Sequence, residues 1–144
     1  MRESLIDVYI KEKKPDGRTA SLLTSMRDSA LSVYGVKAIG EGSCTVEDMF
    51  GGGELILTGT AVPRLREGDL FGGRIFDFEG RNLLGRGIYP FNESNLDRAK
   101  LFLDKELQRY MRKHPEGTLR QMLKDEGYYM NVVWLNCLLT RKKP

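Results

Sequence analysis

The stretch that decides the predicted fold is residues 74–89, RIFDFEGRNLLGRGIY. In residues 74–78 an arginine and two phenylalanines alternate with other side chains, so they share one face of a predicted strand. Residues 79–82 have the composition of a hairpin turn, and residues 83–89 read as the returning strand. Together with a strand predicted at residues 54–62, they indicate an antiparallel meander or a small barrel.

Toward the N-terminus, residues 5–10 are mostly apolar with high β-propensity and predict a first strand. Apolar residues then recur at helical spacing and predict a helix over residues 19–34, ended by Gly35. A short strand is possible at residues 36–39. Residues 40–53 are rich in glycine and predict an irregular connection.

Toward the C-terminus the pattern becomes helical. Residues 94–114 combine a capping sequence with apolar residues at helical spacing, and His114-Pro115 ends the predicted helix. Residues 118–126 predict a short helix with a capping box at its start. Residues 128–139 fit either a buried helix or a buried strand, and we favour the helix.

These elements predict an α+β fold: an N-terminal strand and helix, a meander or small barrel, then two or three C-terminal helices. The length of 144 residues predicts one domain spanning 1–144. Residues 1–90 would be mostly sheet with one helix, and residues 91–144 would be helical.

Composition narrows the class of protein. The net charge is only +3, which permits an acidic partner without requiring one. The N-terminal residues lack the apolar core of a signal peptide, and no run is long enough to span a membrane, so we expect a cytoplasmic protein with no membrane contact. The two cysteines, Cys44 and Cys137, show no disulfide or metal-binding spacing and predict packed, reduced thiols.

The catalytic inventory is sparse. His114 is the only histidine, which excludes zinc or iron sites that need two histidines from one chain. Its place at a predicted helix end favours a structural role through the helix dipole. We therefore predict no catalytic residues, no metal and no cofactor, and the balance leans away from an enzyme.

One carboxylate set keeps an enzymatic alternative open. Asp69, Asp77 and Glu79 lie in neighbouring predicted strands and turns, and the acids of metal-dependent nucleases hold Mg²⁺ in this way. Arg81 stands where such sites place a lysine, and an arginine does not deprotonate usefully. A Mg²⁺-dependent nuclease or nucleotide hydrolase is thus an alternative, and a solvated sheet face is the simpler interpretation.

The most suggestive feature is a set of arginines on the predicted sheet. Three of them follow glycines, and a planar guanidinium beside open space can bind phosphate or carboxylate. With four nearby aromatic rings they have the ingredients of a single-strand binding surface, although local acids could instead make an ordinary salt-bridged surface. The rings are Phe71, Phe76, Phe78 and Tyr89, and the candidate binding residues, with the basic end of the sequence, are Arg64, Arg66, Arg74, Arg81, Arg86, Arg141, Lys142 and Lys143.

The sequence therefore favours a non-enzymatic binding or regulatory module. It would engage nucleic acid, or a protein partner in nucleic-acid machinery, through the arginine-rich sheet. A structural subunit of a viral or other large assembly is the second alternative, since the glycine-rich residues 40–53 could order on a neighbouring molecule.

Overall fold

A computed structural model describes residues 3–29, 31–59, 64–85, 87–126 and 128–139 of the chain, with side chains up to residue 135 in the last range. Two helices come first, α1 (Leu5–Lys13) and α2 (Gly17–Asp28). Six strands follow, and three helices, α3 to α5, form the C-terminal part. The predicted α+β fold, with strands before the C-terminal helices, is confirmed.

The six strands are β1 (Leu31–Gly40), β2 (Ser43–Asp48), β3 (Glu54–Thr58), β4 (Leu70–Phe78), β5 (Arg81–Leu84) and β6 (Tyr89–Phe91). Five of them close into a barrel in the order β1-β2-β3-β5-β4, and β4 pairs back onto β1. The β3–β5 pairing is parallel and the others are antiparallel. The small barrel that the sequence allowed is thus the observed architecture.

Strand β1 closes the barrel because it pairs with two partners. Its first half, Leu31 to Gly35, pairs with β4, and its second half pairs with β2. The register shifts between Val36 and Ala38, where a bulge turns the strand. Such bulges bend a sheet, so this one lets a single strand pass from one side of the barrel to the other.

The predicted hairpin lies between β4 and β5. Glu79 and Gly80 form its two-residue turn with φ of 52° and 75°, the backbone that joins two antiparallel strands with the right twist. Phe78 pairs with Arg81, so β5 begins directly after the turn and includes residues 81 and 82, which were predicted to belong to the turn. The return strand stops at Leu84, and β6 pairs instead with the opposite half of β4, at Leu70 to Gly72.

Two hydrophobic cores share β1. Tyr34 and Val36 point into the barrel, where they pack with Cys44, Val46 and Leu57. Leu31 and Val33 point outward from the same strand and pack against the C-terminal helices. Because successive side chains of a strand point to opposite faces, one strand contributes to both cores.

Helices α3 (Glu93–Lys113), α4 (Leu119–Asp125) and α5 (Tyr128–Leu139) cover this outer face. Asn92 caps α3, two residues before the predicted Ser94, and His114 ends it as predicted. Thr118 caps α4 by accepting a hydrogen bond from the Gln121 backbone N–H. Residues 128–139 are helical, as we favoured.

The predicted N-terminal strand is wrong: residues 5–10 belong to α1. Ser4 accepts a hydrogen bond from the Asp7 backbone N–H, and the Asp7 carboxylate accepts one from the Ser4 backbone N–H in return. Lys14, in the left-handed conformation, ends the helix. This reciprocal capping satisfies orphan backbone donors and outweighs the local β-propensity.

The helix predicted over residues 19–34 ends early, at Asp28, and Leu31 already belongs to β1. Ser29 ends it with extended backbone, and both its backbone N–H and its hydroxyl bond to the Met26 carbonyl. Residues 31–34 are all buried, which requires cover on both faces of a strand. The helical spacing of their apolar residues was a coincidence of this two-sided burial.

The glycine-rich residues 40–53 are not an irregular connection, because they contain β2. The glycines belong to the turns at either end of β2, where Gly42, Gly52 and Gly53 have φ of 70°, 76° and 87°. Positive φ is the conformation that glycine adopts without strain. The glycines of the flanking turns therefore obscured the strand β2 in the composition of residues 40–53.

Within the described ranges, no helix combines the length and the hydropathy that crossing a membrane requires.

Candidate binding surface

The candidate arginines lie at three separate places. Arg64 and Arg66 are exposed in the connection that leads into β4. Arg74 is half-buried in the middle of β4, and Arg81 is exposed at the start of β5, beyond the hairpin. Four further candidates lie outside the described residues: Arg86, Arg141, Lys142 and Lys143.

Two acids near these arginines in sequence are engaged in contacts of their own. Glu79 forms a two-point ion pair with Arg18 of α2, at 2.6 Å to Nε and 3.1 Å to Nη2, and this pair lowers the pKa of Glu79, with a smaller effect from the charge of Arg81. The Asp69 carboxylate accepts the Arg66 backbone N–H at 2.8 Å and so closes the turn before β4. In the described part of the chain, Arg64, Arg66 and Arg81 form no ion pair.

The predicted aromatic platforms are largely covered. Phe71 is 2% exposed inside the barrel. The Arg18 guanidinium lies 5.6 Å from the ring centre of Phe78, and the Ser25 hydroxyl of α2 donates to the Asp77 carbonyl. Tyr89 packs edge-on against Trp134, with ring centres 5.6 Å apart. The structure therefore does not assemble the predicted arginines and rings into one stacking surface.

The outer face of β1 to β3 is close to neutral. Lys37 lies between two acids, with its Nζ 2.8 Å from Glu54 and 3.6 Å from Glu47. The contact with Glu47 joins the neighbouring strands β1 and β2, and the contact with Glu54 reaches across β2 to β3, where Glu54 pairs with Glu47. Any basic surface of the barrel thus lies along β4 and β5 and the connection before β4.

The carboxylates proposed for Mg²⁺ do not converge. Asp69 closes a turn, Glu79 is paired with Arg18, and Asp77 is exposed in β4. Among the described residues, no three acid, histidine or cysteine side chains come together as metal ligands. The enzymatic alternative therefore gains no support from the geometry.

His114 lies where a structural role predicts it, at the C-terminal end of α3. Its ring stacks on Tyr110 at 4.2 Å, and the Tyr110 hydroxyl donates to Asp125 at 2.5 Å. This hydrogen bond raises the pKa of Tyr110 to about 12. The group joins α3 to α4, and its polar atoms are used within the fold.

A cavity of about 310 Å³ lies between β1, α4 and the loop after β2. The Asp48 carboxylate organises that loop by accepting hydrogen bonds from the Ser32 hydroxyl at 2.5 Å and from two loop N–H groups. Burial raises the pKa of Tyr34 to about 12, with the Asp48 charge as the second cause. The glycines of the loop thus serve this turn.

A groove of about 430 Å³ was missed by the sequence reasoning. It lies between α1, α2 and the outer side of β4, and Arg74 and Lys124 both line it. Lys124 comes from α4, fifty residues after Arg74 in the chain. No spacing in the sequence indicates this pairing, because it depends on how α4 packs beside β1 and on residues 5–10 being helical.

No protein-family model, no curated protein and no solved structure matches this chain in sequence or in fold.

Proposed function

We propose that the protein is a non-enzymatic binding module of nucleic-acid machinery, in which Arg64, Arg66 and Arg81 hold the backbone of a single strand. The observation that carries this proposal is the absence of ion-pair partners for these three arginines in the described part of the chain. Two of their neighbouring acids are engaged elsewhere, Asp69 in a turn and Glu79 with Arg18. Exposed guanidinium groups without internal partners are suited to phosphate.

The barrel supports the same proposal at the level of architecture. Five-stranded Greek-key barrels of the OB type bind oligonucleotides and oligosaccharides at the face of strands 2 and 3 and at the loops that join strands 1 and 2 and strands 4 and 5. Arg81 follows the β4–β5 turn directly, so it is the arginine that this analogy supports. Here the strand order β1-β2-β3-β5-β4 closes such a barrel. The analogy concerns the fold alone, and the arginines carry the functional argument.

The spacing of the arginines sets the expected length of the ligand. Strand β4 runs from Leu70 to Phe78 between the two arginine positions, a rise of about 26 Å at roughly 3.3 Å per residue. A stacked strand places a phosphate every 3.4 Å or so, which gives about eight nucleotides. That length lies within the roughly 4–16 nucleotides that one OB barrel covers.

The test is fluorescence anisotropy with a labelled 12-nucleotide oligothymidylate at 50–300 mM salt. Three phosphate contacts predict a slope of log K against log salt of about −2. The variant Arg64→Gln/Arg66→Gln/Arg81→Gln should lose at least tenfold in affinity at 50 mM salt, because all three contacts are removed.

The matched control is Lys105→Gln/Arg112→Gln/Lys113→Gln, which removes the same charge from the exposed face of α3. It should bind within a factor of about two of the parent at 150 mM salt, since long-range charge is screened there. Equal losses of affinity in both variants would show that net charge, and not these three arginines, determines binding. No binding by the parent at 50 mM salt would refute the proposal.

A further inference from the structure

The groove between α1, α2 and β4 has walls that are mainly apolar. Leu5 and Met26 stand at its rim with 90% and 40% of their surface exposed, and Phe76 of β4 lies at its side. A leucine so exposed at the first turn of a helix leaves apolar surface uncovered beside the cavity. An occupant that filled only the cavity would leave that surface in water.

Three cations line the same groove, and one of them is neutralised. Arg27 is 2.5 Å from the Asp7 carboxylate and 2.9 Å from that of Asp28. These two contacts engage the carboxylates of Asp7 and Asp28. Arg74 and Lys124 form no ion pair with any residue in the described ranges. The pKa of Asp28 is lowered mainly by Arg27 and also by the charge of Lys124, which therefore lies near this acid without forming an ion pair with it.

Arg74 is held in place by the fold. Its Nη1 donates to the carbonyl of Ser29 at 2.9 Å, and Ser29 is itself only 4% exposed. In the described ranges no second hydrogen bond of the Arg74 side chain is present, so the remaining donors of its planar guanidinium can bind a further group. A carboxylate matches their geometry with two parallel hydrogen bonds. Apolar side chains of an occupant would displace water from the groove and strengthen such a contact.

We propose that this groove binds a peptide segment of a partner protein in which bulky apolar side chains stand next to an Asp or Glu carboxylate. The apolar side chains cover Leu5, Met26 and Phe76, and the carboxylate lies between Arg74 and Lys124. A peptide is favoured over a small carboxylic acid because the exposed apolar surface continues past the cavity onto the rim. The site uses none of the three arginines assigned above to nucleic acid.

The test is selection of a displayed library of random 12-residue peptides on the full chain. Enriched peptides should combine Leu, Ile, Phe or Met with Asp or Glu. For the strongest peptide, changing its acids to amides should weaken binding at least tenfold, as measured by fluorescence anisotropy.

Variants of the protein then locate the site. Lys124 is exposed on α4, so we expect Lys124→Gln to fold as the parent does. Combined with Arg74→Gln, it should weaken peptide binding tenfold or more. Arg74→Lys keeps the positive charge but removes the two parallel donors of the guanidinium, so it should cause an intermediate loss of peptide affinity. Folding of each variant is checked by circular dichroism, and Lys124→Gln alone should still cause a measurable loss.

Arg64→Gln/Arg66→Gln/Arg81→Gln serves as the control, and it should bind the peptide as the parent does. Enriched peptides without acids, or equal binding by the Arg74→Gln/Lys124→Gln variant, would overturn the proposal. The proposal would also be overturned if Arg74→Gln/Lys124→Gln lost oligothymidylate binding and kept peptide binding, because the groove would then be a nucleic-acid site. Since the two proposals depend on different residues, either can fail alone.

Discussion

At the residue scale, Asp7 shows how one side chain can serve two purposes. It completes the capping box of α1 with Ser4, and it pairs with Arg27 of α2 at 2.5 Å. The hydrogen bonds from Ser4 and Arg27 lower the pKa of Asp7 from 3.8 to about 2. The residue therefore determines both where α1 begins and how the groove cation Arg27 is neutralised.

We expect acid to release this contact. Because the folded pKa is lower than the unfolded one, Asp7 stabilises the fold fully above about pH 4 and loses that effect as the pH falls to about 2. In NMR titrations, Ser4→Ala and Arg27→Gln should each raise the pKa of Asp7, since each removes a hydrogen bond to its carboxylate. Ser21→Ala, exposed on α2, is the control and should leave it unchanged. An unchanged pKa of Asp7 in Ser4→Ala would contradict the capping box.

Cys44 is a residue-scale case of burial controlling reactivity. Its side chain is 1% exposed inside the barrel, and burial raises the pKa of its thiol. Its packed, reduced state was predicted from the sequence; the side chain of Cys137 lies outside the described residues.

We predict that N-ethylmaleimide does not label Cys44 in the native protein and labels it fully in denaturant, because the thiolate is the reactive form. Mass spectrometry of the digested protein identifies the labelled position. A cysteine introduced at an exposed site, Lys105→Cys, should react at once under native conditions. Native labelling of Cys44 at the same rate would show that the barrel opens.

At the element scale, the joint between α3 and α4 depends on a close approach at Gly117. A Cβ there would lie 2.5 Å from Cε1 of Tyr110 and 2.9 Å from the carbonyl oxygen of His114. Neither neighbour can yield freely, since Tyr110 is buried, stacked on His114 and bonded to Asp125.

Gly117→Ala should therefore destabilise the protein by about 1–3 kcal/mol, the usual cost of overpacking. Urea unfolding followed by circular dichroism measures this loss. Gly17→Ala is the matched control, because nothing lies within 4 Å of the added Cβ at the start of α2. An equal effect at both positions would contradict the tight joint.

At the scale of the whole molecule, the two cores are coupled through β1. Val33 is buried among the helices, and the next residue, Tyr34, is buried in the barrel. Neither core can lose this strand without exposing the other. We therefore expect one cooperative unfolding transition for the described part of the chain.

Leu57→Ala in the barrel core should lower stability by about 2–5 kcal/mol, and so should Leu103→Ala in the helical core. Trp134 of α5 reports on the helical side, because its indole N–H donates to the Pro90 carbonyl at 3.2 Å. Its fluorescence should shift to a lower urea midpoint in both variants, together with the circular dichroism. If the urea midpoint measured by Trp134 fluorescence is unchanged in Leu57→Ala, the barrel unfolds separately from the helices.

The local signals in the sequence determined much of the architecture. Alternation and turn residues indicated the β4–β5 hairpin, although the turn is two residues long and not the predicted four. Helical spacing indicated α3 and α4, and the capping residue was predicted correctly for α4. The arginines were recognisable as candidates, because an arginine offers the same donors wherever it stands. These features depend on neighbours within a few residues in the chain.

Only the tertiary structure decided the rest. Residues 31–34 became a strand because cores on both sides bury it, and β2 formed between glycine turns because two neighbouring strands pair with it. Arg74 and Lys124 share a groove because α4 packs against β1 beside β4. Glu79 forms its ion pair with Arg18 because α2 packs beside β4. Each of these outcomes depends on contacts between residues far apart in the chain, and local spacing carries no information about which distant surface will cover a side chain.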